Sequence, residues 1–144
     1  MAKVQYCEHT GSVSKISNKL NSEGIEMENT ITPNFDRAVC ALRHILRINS
    51  VETDAEPGQP FGEGCAKALQ FALELLQMFG FKTKNIDNYC GYGEIGEGEL
   101  FAVLGHLDVV PAGDGWTYPP FEAELVDGKI YARGAIDDKG PVIA

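Results

Sequence analysis

The sequence predicts an α/β domain, and three patterns along the chain support this fold class. Residues 33–48 and 63–79 each carry apolar side chains at the spacing of an amphipathic helix. Residues 100–108 (LFAVLGHLD) contain an unbroken apolar run, typical of a strand buried on both faces of a parallel sheet. Residues 121–132 alternate around Asp127-Gly128, which predicts a β-hairpin with a type I′ turn.

The composition is that of a globular protein. A chain of 144 residues with 44% hydrophobic and 23% charged residues suits one domain with a moderate core. The net charge of −9 argues against a nucleic-acid surface. An apolar run of about 18 residues is absent from the sequence, which predicts no membrane span.

The cysteines and the first residues predict a cytoplasmic protein. Cys7, Cys40, Cys65 and Cys90 form no CxxC pair, so we interpret them as reduced thiols rather than disulfides or a structural zinc site. The first fifteen residues contain no apolar segment of the kind found in secretory signals.

Two segments with different character make up the chain. Residues 1–26 have weak periodicity, and we expect a poorly ordered N-terminal extension there. Residues 27–144 carry the helix and strand patterns, and we expect them to form the folded domain. In the first helix, Thr32 is a candidate N-cap with Pro33 at the first helical position, and Gly80 suits the end of the second.

Two short strands are expected within residues 81–99. Gly91, Gly93 and Gly96 give this segment the look of a dinucleotide-binding loop. They follow no buried strand and open no helix, so we reject that function. The Pro/Gly-rich loop 109–120 contains the single tryptophan and is expected to shape a neighbouring site.

The candidate site begins where the predicted strand 100–108 ends. His106 and Asp108 are two residues apart and therefore point to the same side of a strand. Sites in open α/β sheets gather at this end of the strands. An imidazole with a neighbouring carboxylate suits zinc, and a carboxylate from another turn, such as Asp137, can bridge two metal ions. The spacing is equally compatible with a structural histidine, and with Asp137 and Asp138 acting as charges at a helix start.

A longer motif resembles a known family. The segment GHLDVVPAGDGW, followed by PPFEAELVDGKIYARGAIDDKGP, resembles the two-zinc hydrolases that include aminoacylases, acetylornithine deacetylases, carboxypeptidase G and bacterial dipeptidases. Deacetylases more often read Asp-Met-Lys-Gly, whereas the Asp-Asp-Lys-Gly-Pro form is most similar to bacterial Xaa-His-type, carnosinase-like dipeptidases. The resemblance covers residues 35–144 and is most specific over 104–141. It implies that residues 27–144 are the amino-terminal part of a zinc-exopeptidase-like, mixed-sheet metallopeptidase catalytic domain.

The resemblance also implies a role for each motif residue. His106 corresponds to a ligand of one metal ion and Asp137 to the carboxylate that bridges two. Asp108 corresponds to the catalytic acidic residue that orients the imidazole. The implied cofactor is two Zn²⁺ per intact site, with Co²⁺ or Mn²⁺ as alternatives, and the implied substrate is a dipeptide. A cis peptide bond between Asp137 and Asp138 is also implied.

Several parts of the family's site have no counterpart in the sequence. The family uses a Glu-Glu pair as base and ligand, a further acidic ligand and a distant histidine, and no Glu-Glu pair occurs here. We therefore expect an amino-terminal fragment without appreciable peptidase activity. Such a fragment is expected to leave a sheet edge and an apolar face open to self-association. An N-acyl-amino-acid deacylase and a non-catalytic truncated module remain the alternatives.

Overall fold

The computed structural model describes the backbone of residues 28–144 and the side chains from Phe35 onward. The predicted extension over residues 1–26 lies outside the described residues, so it and the domain boundary after it stay predictions. The described chain divides between Cys40 and Ala41, within the first helix. The packing described below is that of the residues from Ala41 onward.

Both predicted long helices are present. Helix α1 runs over Glu28–Leu46 and helix α2 over Glu63–Met78. Helix α1 begins at Glu28, five residues before the predicted start, so Pro33 lies in its second turn and does not mark its first residue. Gly80, with φ of 86°, follows the end of α2 in the left-handed conformation expected there.

The two strands predicted within 81–99 form one antiparallel hairpin that packs against α2. Strand β1 (Lys82–Ile86) pairs with strand β2 (Cys90–Glu94), with Lys82 opposite Glu94. A Cβ atom added at Gly91 would lie 2.9 Å from Cδ2 of Leu73, a side chain of α2. Gly91 therefore allows the helix to approach the sheet, which is a packing role rather than a nucleotide-binding one.

The second hairpin confirms the predicted turn. Strand β3 (Glu124–Val126) pairs antiparallel with strand β4 (Lys129–Tyr131). Between them, Asp127 has φ of 49° and Gly128 has φ of 74°. Two consecutive positive φ angles are what a type I′ turn requires.

The buried core lies between the end of α1 and the second hairpin. Leu46, Ala123 and Ala132 form a buried cluster, against which partly buried apolar side chains pack: Leu42, Ile130 and Ala135. Arg43 Nε donates to the carbonyl oxygen of Ala123 over 2.9 Å. The last turns of α1 are thus attached to the hairpin by apolar contact and by a hydrogen bond.

The prediction of a buried strand over residues 100–108 is wrong for this structure. The segment has no regular secondary structure, and Leu100 and Leu104 are each 92% exposed. The two sheets of the described residues contain only β1 with β2 and β3 with β4, so no strand pairs with this segment. A buried parallel strand needs neighbours that satisfy its backbone and cover both faces, and the described chain supplies none.

The remaining elements are short. Helix α3 (Lys139–Ile143) begins near Pro141, as predicted. Cys40, Cys65 and Cys90 are free thiols, whereas Cys7 lies outside the described residues. Within residues 28–144, we find no helix with the length and apolarity needed to cross a membrane.

Candidate metal centre

The segment that carries His106 is fixed to the loop that follows α1. Ser50 is fully buried, and its Oγ donates to the carbonyl oxygen of Leu107 over 2.6 Å. In return, the backbone N–H of Val109 donates to the carbonyl oxygen of Ser50 over 3.1 Å. These two bonds hold residues 107–109 in a defined position although they belong to no sheet.

Both ring nitrogens of His106 face a carboxylate. Nε2 lies 3.0 Å from Oδ1 of Asp137, and Nδ1 lies 3.2 Å from Oδ1 of Asp108. Nδ1 is also 3.2 Å from the backbone carbonyl oxygen of Asp108. The structure therefore brings together all three predicted site residues, including two that are 31 positions apart in the sequence.

The electrostatics of the site favour the protonated imidazole. The pKa of His106 is raised above its usual 6.5, chiefly because its ring hydrogen-bonds to the Asp137 side chain. Partial desolvation opposes this rise, while the Asp108 carbonyl and the charges of both carboxylates add to it. Nε2 of His106 and Oδ1 of Asp137 are within hydrogen-bond distance, and the same two atoms would hold a metal ion.

The turn that carries Asp137 is anchored by a buried lysine. The side chain of Lys139 is fully buried, and its Nζ donates to the carbonyl oxygens of Ile45 and Ile48, over 3.1 and 2.7 Å. Burial lowers the pKa of Lys139 from 10.5 to about 8. The peptide bond between Asp137 and Asp138 is cis, as the family resemblance implied.

The sequence reasoning missed Ser50, Lys139 and Asp138 as residues that build the site. Ser50 lies in a polar loop, rich in proline, glycine and acidic residues, whose composition predicts exposure to solvent. Lys139 follows two aspartates and precedes a glycine, a context typical of an exposed lysine. Its position within the family motif was the one signal that could have indicated a structural role. The sequence predicts Asp138 only as a charge at a helix start. It is the N-cap residue of α3 but makes no side-chain cap hydrogen bond.

The predicted role of the loop 109–120 in shaping the site differs from what the structure shows. A cavity of about 390 Å³ adjoins His106 and Asp108, and its other walls come from the loop between α1 and α2, from α2 and from the first hairpin, including Phe61, Cys65 and Gly91. The loop instead lines a separate cleft. In that cleft Arg133 lies over the ring of Trp116, with Cζ 5.3 Å from the centroid.

The donors fit zinc in type but not in number. An imidazole nitrogen and carboxylate oxygens are ordinary zinc ligands, and zinc sites in proteins usually have about three or four protein ligands. Among the residues that the structure describes, no group of three or more His, Cys, Asp or Glu side chains is arranged to hold a metal ion. The described residues therefore supply part of a metal centre.

Comparison with known proteins confirms the predicted resemblance. Residues 102–144 match the family described as Peptidase family M20/M25/M40. The chain is 58% identical over 105 residues to the Bacillus subtilis (strain 168) protein named "Putative dipeptidase YtjP", over 71% of this chain and 23% of that protein. It is 43% identical over 112 residues to a Staphylococcus aureus (strain USA300) protein of the same description, over 76% of this chain and 24% of that protein.

A solved structure has a similar fold. The crystal structure of human carnosine dipeptidase 1 superposes with a TM-score of 0.63 and 29% identity, over 80% of this chain and 28% of that one. This match confirms the predicted fold class. The chain spans about a quarter of the length of the relatives that it matches.

Proposed function

We propose that this chain supplies part of the catalytic domain of a zinc-dependent dipeptidase of the peptidase family M20/M25/M40. The proposal combines the family similarity of residues 102–144 with the dipeptidase names of the relatives. The observation that carries it is the arrangement around His106, where carboxylates lie 3.0 and 3.2 Å from the two ring nitrogens. We also propose that the protein is cytoplasmic, because its cysteine spacing and the free thiols of Cys40, Cys65 and Cys90 favour a reducing compartment.

Each of the three site residues has a distinct role in this proposal. His106 presents Nε2 as a metal ligand, and Asp137 presents Oδ1 on the same side as the second ligand. Asp108 lies against the other ring nitrogen, where it fixes the tautomer that leaves the Nε2 lone pair free. When bound, a pair of zinc ions in such a site activates water for attack on a peptide carbonyl.

The same proposal predicts that the 144-residue chain does not hydrolyse dipeptides at an appreciable rate. The sequence contains no Glu-Glu pair that would supply a general base. A third ligand is also missing from the described residues. This observation favours the second candidate, a non-catalytic module, for the 144-residue chain, while the family similarity favours a dipeptidase wherever the remaining ligands and the base are supplied.

Metal binding tests the proposal directly. Zn²⁺ affinity is measured by competition with a chromophoric chelator, for the wild type and for His106→Ala and Asp137→Asn. Both substitutions are expected to weaken zinc binding at least about tenfold, because each removes one donor of the pair. His44→Ala and Asp54→Asn are the matched controls, since they remove the same groups from α1 and from an acidic loop.

Two results contradict the proposal. Equal zinc affinity in the wild type, His106→Ala and Asp137→Asn excludes these side chains as ligands. Robust hydrolysis of L-dipeptides by the 144-residue chain with zinc, cobalt or manganese would show that the base and remaining ligands are not needed.

A further inference from the structure

We propose that Asp138 is the positioning residue of this centre: it holds the backbone of His106 while Asp137 holds the ring. The proposal rests on the proposed function where it concerns metal binding. Its geometric part, the attachment of His106 to the Asp137–Asp138 turn, stands on the structure of this chain alone. Asp138 is not itself a ligand in this arrangement.

Two neighbouring carboxylates contact the same histidine in different ways. Oδ2 of Asp138 accepts a hydrogen bond from the backbone N–H of His106 over 3.2 Å. Oδ1 of Asp137 lies 3.0 Å from Nε2 of the same residue. His106 is thus held at its backbone and at the far end of its ring by one turn of the chain, which restricts both its position and its rotamer.

The carboxylate of Asp138 is free for this role because it does not serve its own helix. Asp138 occupies the N-cap position of α3, where an aspartate commonly accepts from a backbone N–H of the first turn. Its side chain makes no such bond. The half-buried carboxylate turns instead toward a segment 32 residues earlier in the chain.

Gly105 makes this contact sterically accessible. A Cβ atom at position 105 would lie 2.9 Å from Oδ2 of Asp138 and 2.5 Å from Cγ2 of Val142. Both distances are too short for a carbon atom, so any larger residue would push the segment away from the turn. The absence of a side chain at Gly105 therefore allows the carboxylate of Asp138 to reach the backbone of His106.

The consequence concerns ligand geometry. A metal ligand binds tightly when its position is set before the metal arrives, and outer groups that orient ligands typically change metal affinity about 10–100-fold. Asp137 is anchored through its turn, and Asp138 brings His106 to that same turn. The distance between the two candidate ligands is thereby set by a hydrogen bond that involves neither of their coordinating atoms.

The test uses the 144-residue protein with Asp138→Leu, Asp138→Asn and the control Asp54→Leu. NMR of the metal-free protein follows the amide proton shift of His106 and the ¹⁵N shifts of its ring, which report its tautomer. In Asp138→Leu we expect loss of the downfield amide shift and averaging of the ring signals. Asp138→Asn keeps an acceptor oxygen and should retain most of both signatures, and Asp54→Leu should leave them unchanged.

Gly105→Ala approaches the same contact from the other side and covers the case in which Asp138→Leu does not fold. It should reproduce the loss of the His106 signatures. Zinc affinity, measured in parallel, should fall about 10–100-fold in Asp138→Leu and much less in Asp138→Asn. If the wild type binds no zinc but the His106 signals respond as expected, the metal function fails and the positioning role stands.

The proposal is overturned if folded Asp138→Leu, or folded Gly105→Ala, keeps the amide shift and ring signals of the wild type. It is also overturned if Asp138→Asn loses both signatures as completely as Asp138→Leu, because the retained acceptor would then have no effect.

Discussion

Nζ of Lys139 lies 3.1 Å from the carbonyl oxygen of Ile45, near the end of α1. This hydrogen bond connects two residues that are 94 positions apart in the sequence. A second bond, over 2.7 Å, goes to the carbonyl oxygen of Ile48. Carbonyl groups at a helix C-terminus lack partners within the helix, and a cation there is favourable. The buried lysine therefore closes α1 and anchors the turn that carries Asp137.

Lys139→Met should destabilise the fold. The substitution preserves much of the apolar stem but removes the donor to the Ile48 carbonyl, whereas the Ile45 carbonyl keeps the N–H of Ile48. An unsatisfied group of this kind costs about 1–3 kcal/mol, so we expect the free energy of unfolding, measured in urea, to fall by about that amount. Lys129→Met, at an exposed position of β4, is the matched control and should have little effect. An unchanged unfolding midpoint in Lys139→Met would contradict this role.

The burial of Lys139 also predicts a pH dependence of stability. Its pKa is about 8 in the folded protein and 10.5 ordinarily, so the unfolded chain binds more protons between these values. The free energy of unfolding should therefore rise with pH across this window, by at most about 1.4 kcal/mol per pH unit. Lys139→Met should remove the rise.

Cys65 must be controlled in that experiment because it titrates in the opposite sense. Burial raises the pKa of its thiol above 9.0, and the charges of Asp108 and Glu52 raise it further, while the charge of Lys139 opposes the rise. The folded state then retains a proton that the unfolded chain loses, so this residue lowers stability above about pH 9. Measurements in a Cys65→Ser background isolate the lysine, and a flat profile there would contradict the prediction.

The two carboxylates at His106 should contribute unequally to its pKa. Asp137→Asn is expected to lower the pKa of His106 more than Asp108→Asn does, because the Asp137 side chain is the largest cause of the rise. Asp108→Asn leaves the backbone carbonyl of residue 108 in place, and this group also raises the pKa. NMR titration of the His106 ring protons measures both shifts.

The same titration has a consequence for stability. A pKa raised in the folded state stabilises the fold fully below pH 6.5, and the stabilisation is lost as pH rises through the folded value. In Asp137→Asn this pH-dependent part should shrink. A larger effect from Asp108→Asn than from Asp137→Asn would show that the Nε2 hydrogen bond is not the main interaction.

The sequence was sufficient wherever local pattern decides structure. The type I′ turn at Asp127-Gly128 and helix α2 follow from neighbouring residues, and the structure has both. His106 and Asp108 lie together as predicted, although the strand on which that prediction rested is absent. The contact of His106 with Asp137 is implied only by the family motif, because a separation of 31 residues fixes no distance by itself.

The sequence was insufficient wherever a residue depends on partners elsewhere in the chain. Residues 100–108 have the composition of a buried strand, but a strand forms only when another strand satisfies its backbone. Lys139 and Ser50 are buried by contacts with α1 and with the segment after His106. Asp138 has the local signature of a helix cap, and only the three-dimensional structure shows its carboxylate bound to His106.

Gly91→Ala should weaken the packing of α2 on the first hairpin. The added methyl group would lie 2.9–3.0 Å from side-chain carbons of Leu73 and Leu69, so either the helix or the strand must move. Overpacking of this kind costs about 1–3 kcal/mol, measurable by urea denaturation. The double mutant Gly91→Ala/Leu73→Ala should lose less stability than the sum of the losses in the two single mutants. The reason is that the cavity left by the shortened Leu73 side chain accommodates the methyl group of residue 91. Strict additivity would contradict this contact.

The exposed apolar segment should drive self-association. Leu100, Phe101, Val103 and Leu104 are each between 86% and 92% exposed, and their segment has no strand partner among the described residues. Exposed apolar residues next to free backbone N–H and C=O groups favour pairing with a second copy. We expect the sedimentation coefficient to increase with protein concentration, together with binding of a dye that reports apolar surface.

Leu104→Lys should shift this equilibrium toward the monomer, because a charge within the apolar run must be desolvated when two copies pair. Thr117→Lys adds the same charge at an exposed polar position outside the run and should leave association unchanged. Comparing both variants at several salt concentrations separates the local effect from a reduction of the net charge of −9, since charge repulsion between whole molecules is screened by salt. A wild type that stays monomeric and binds no dye would show that the segment is covered in solution, and equal effects of the two lysines would place the contact elsewhere.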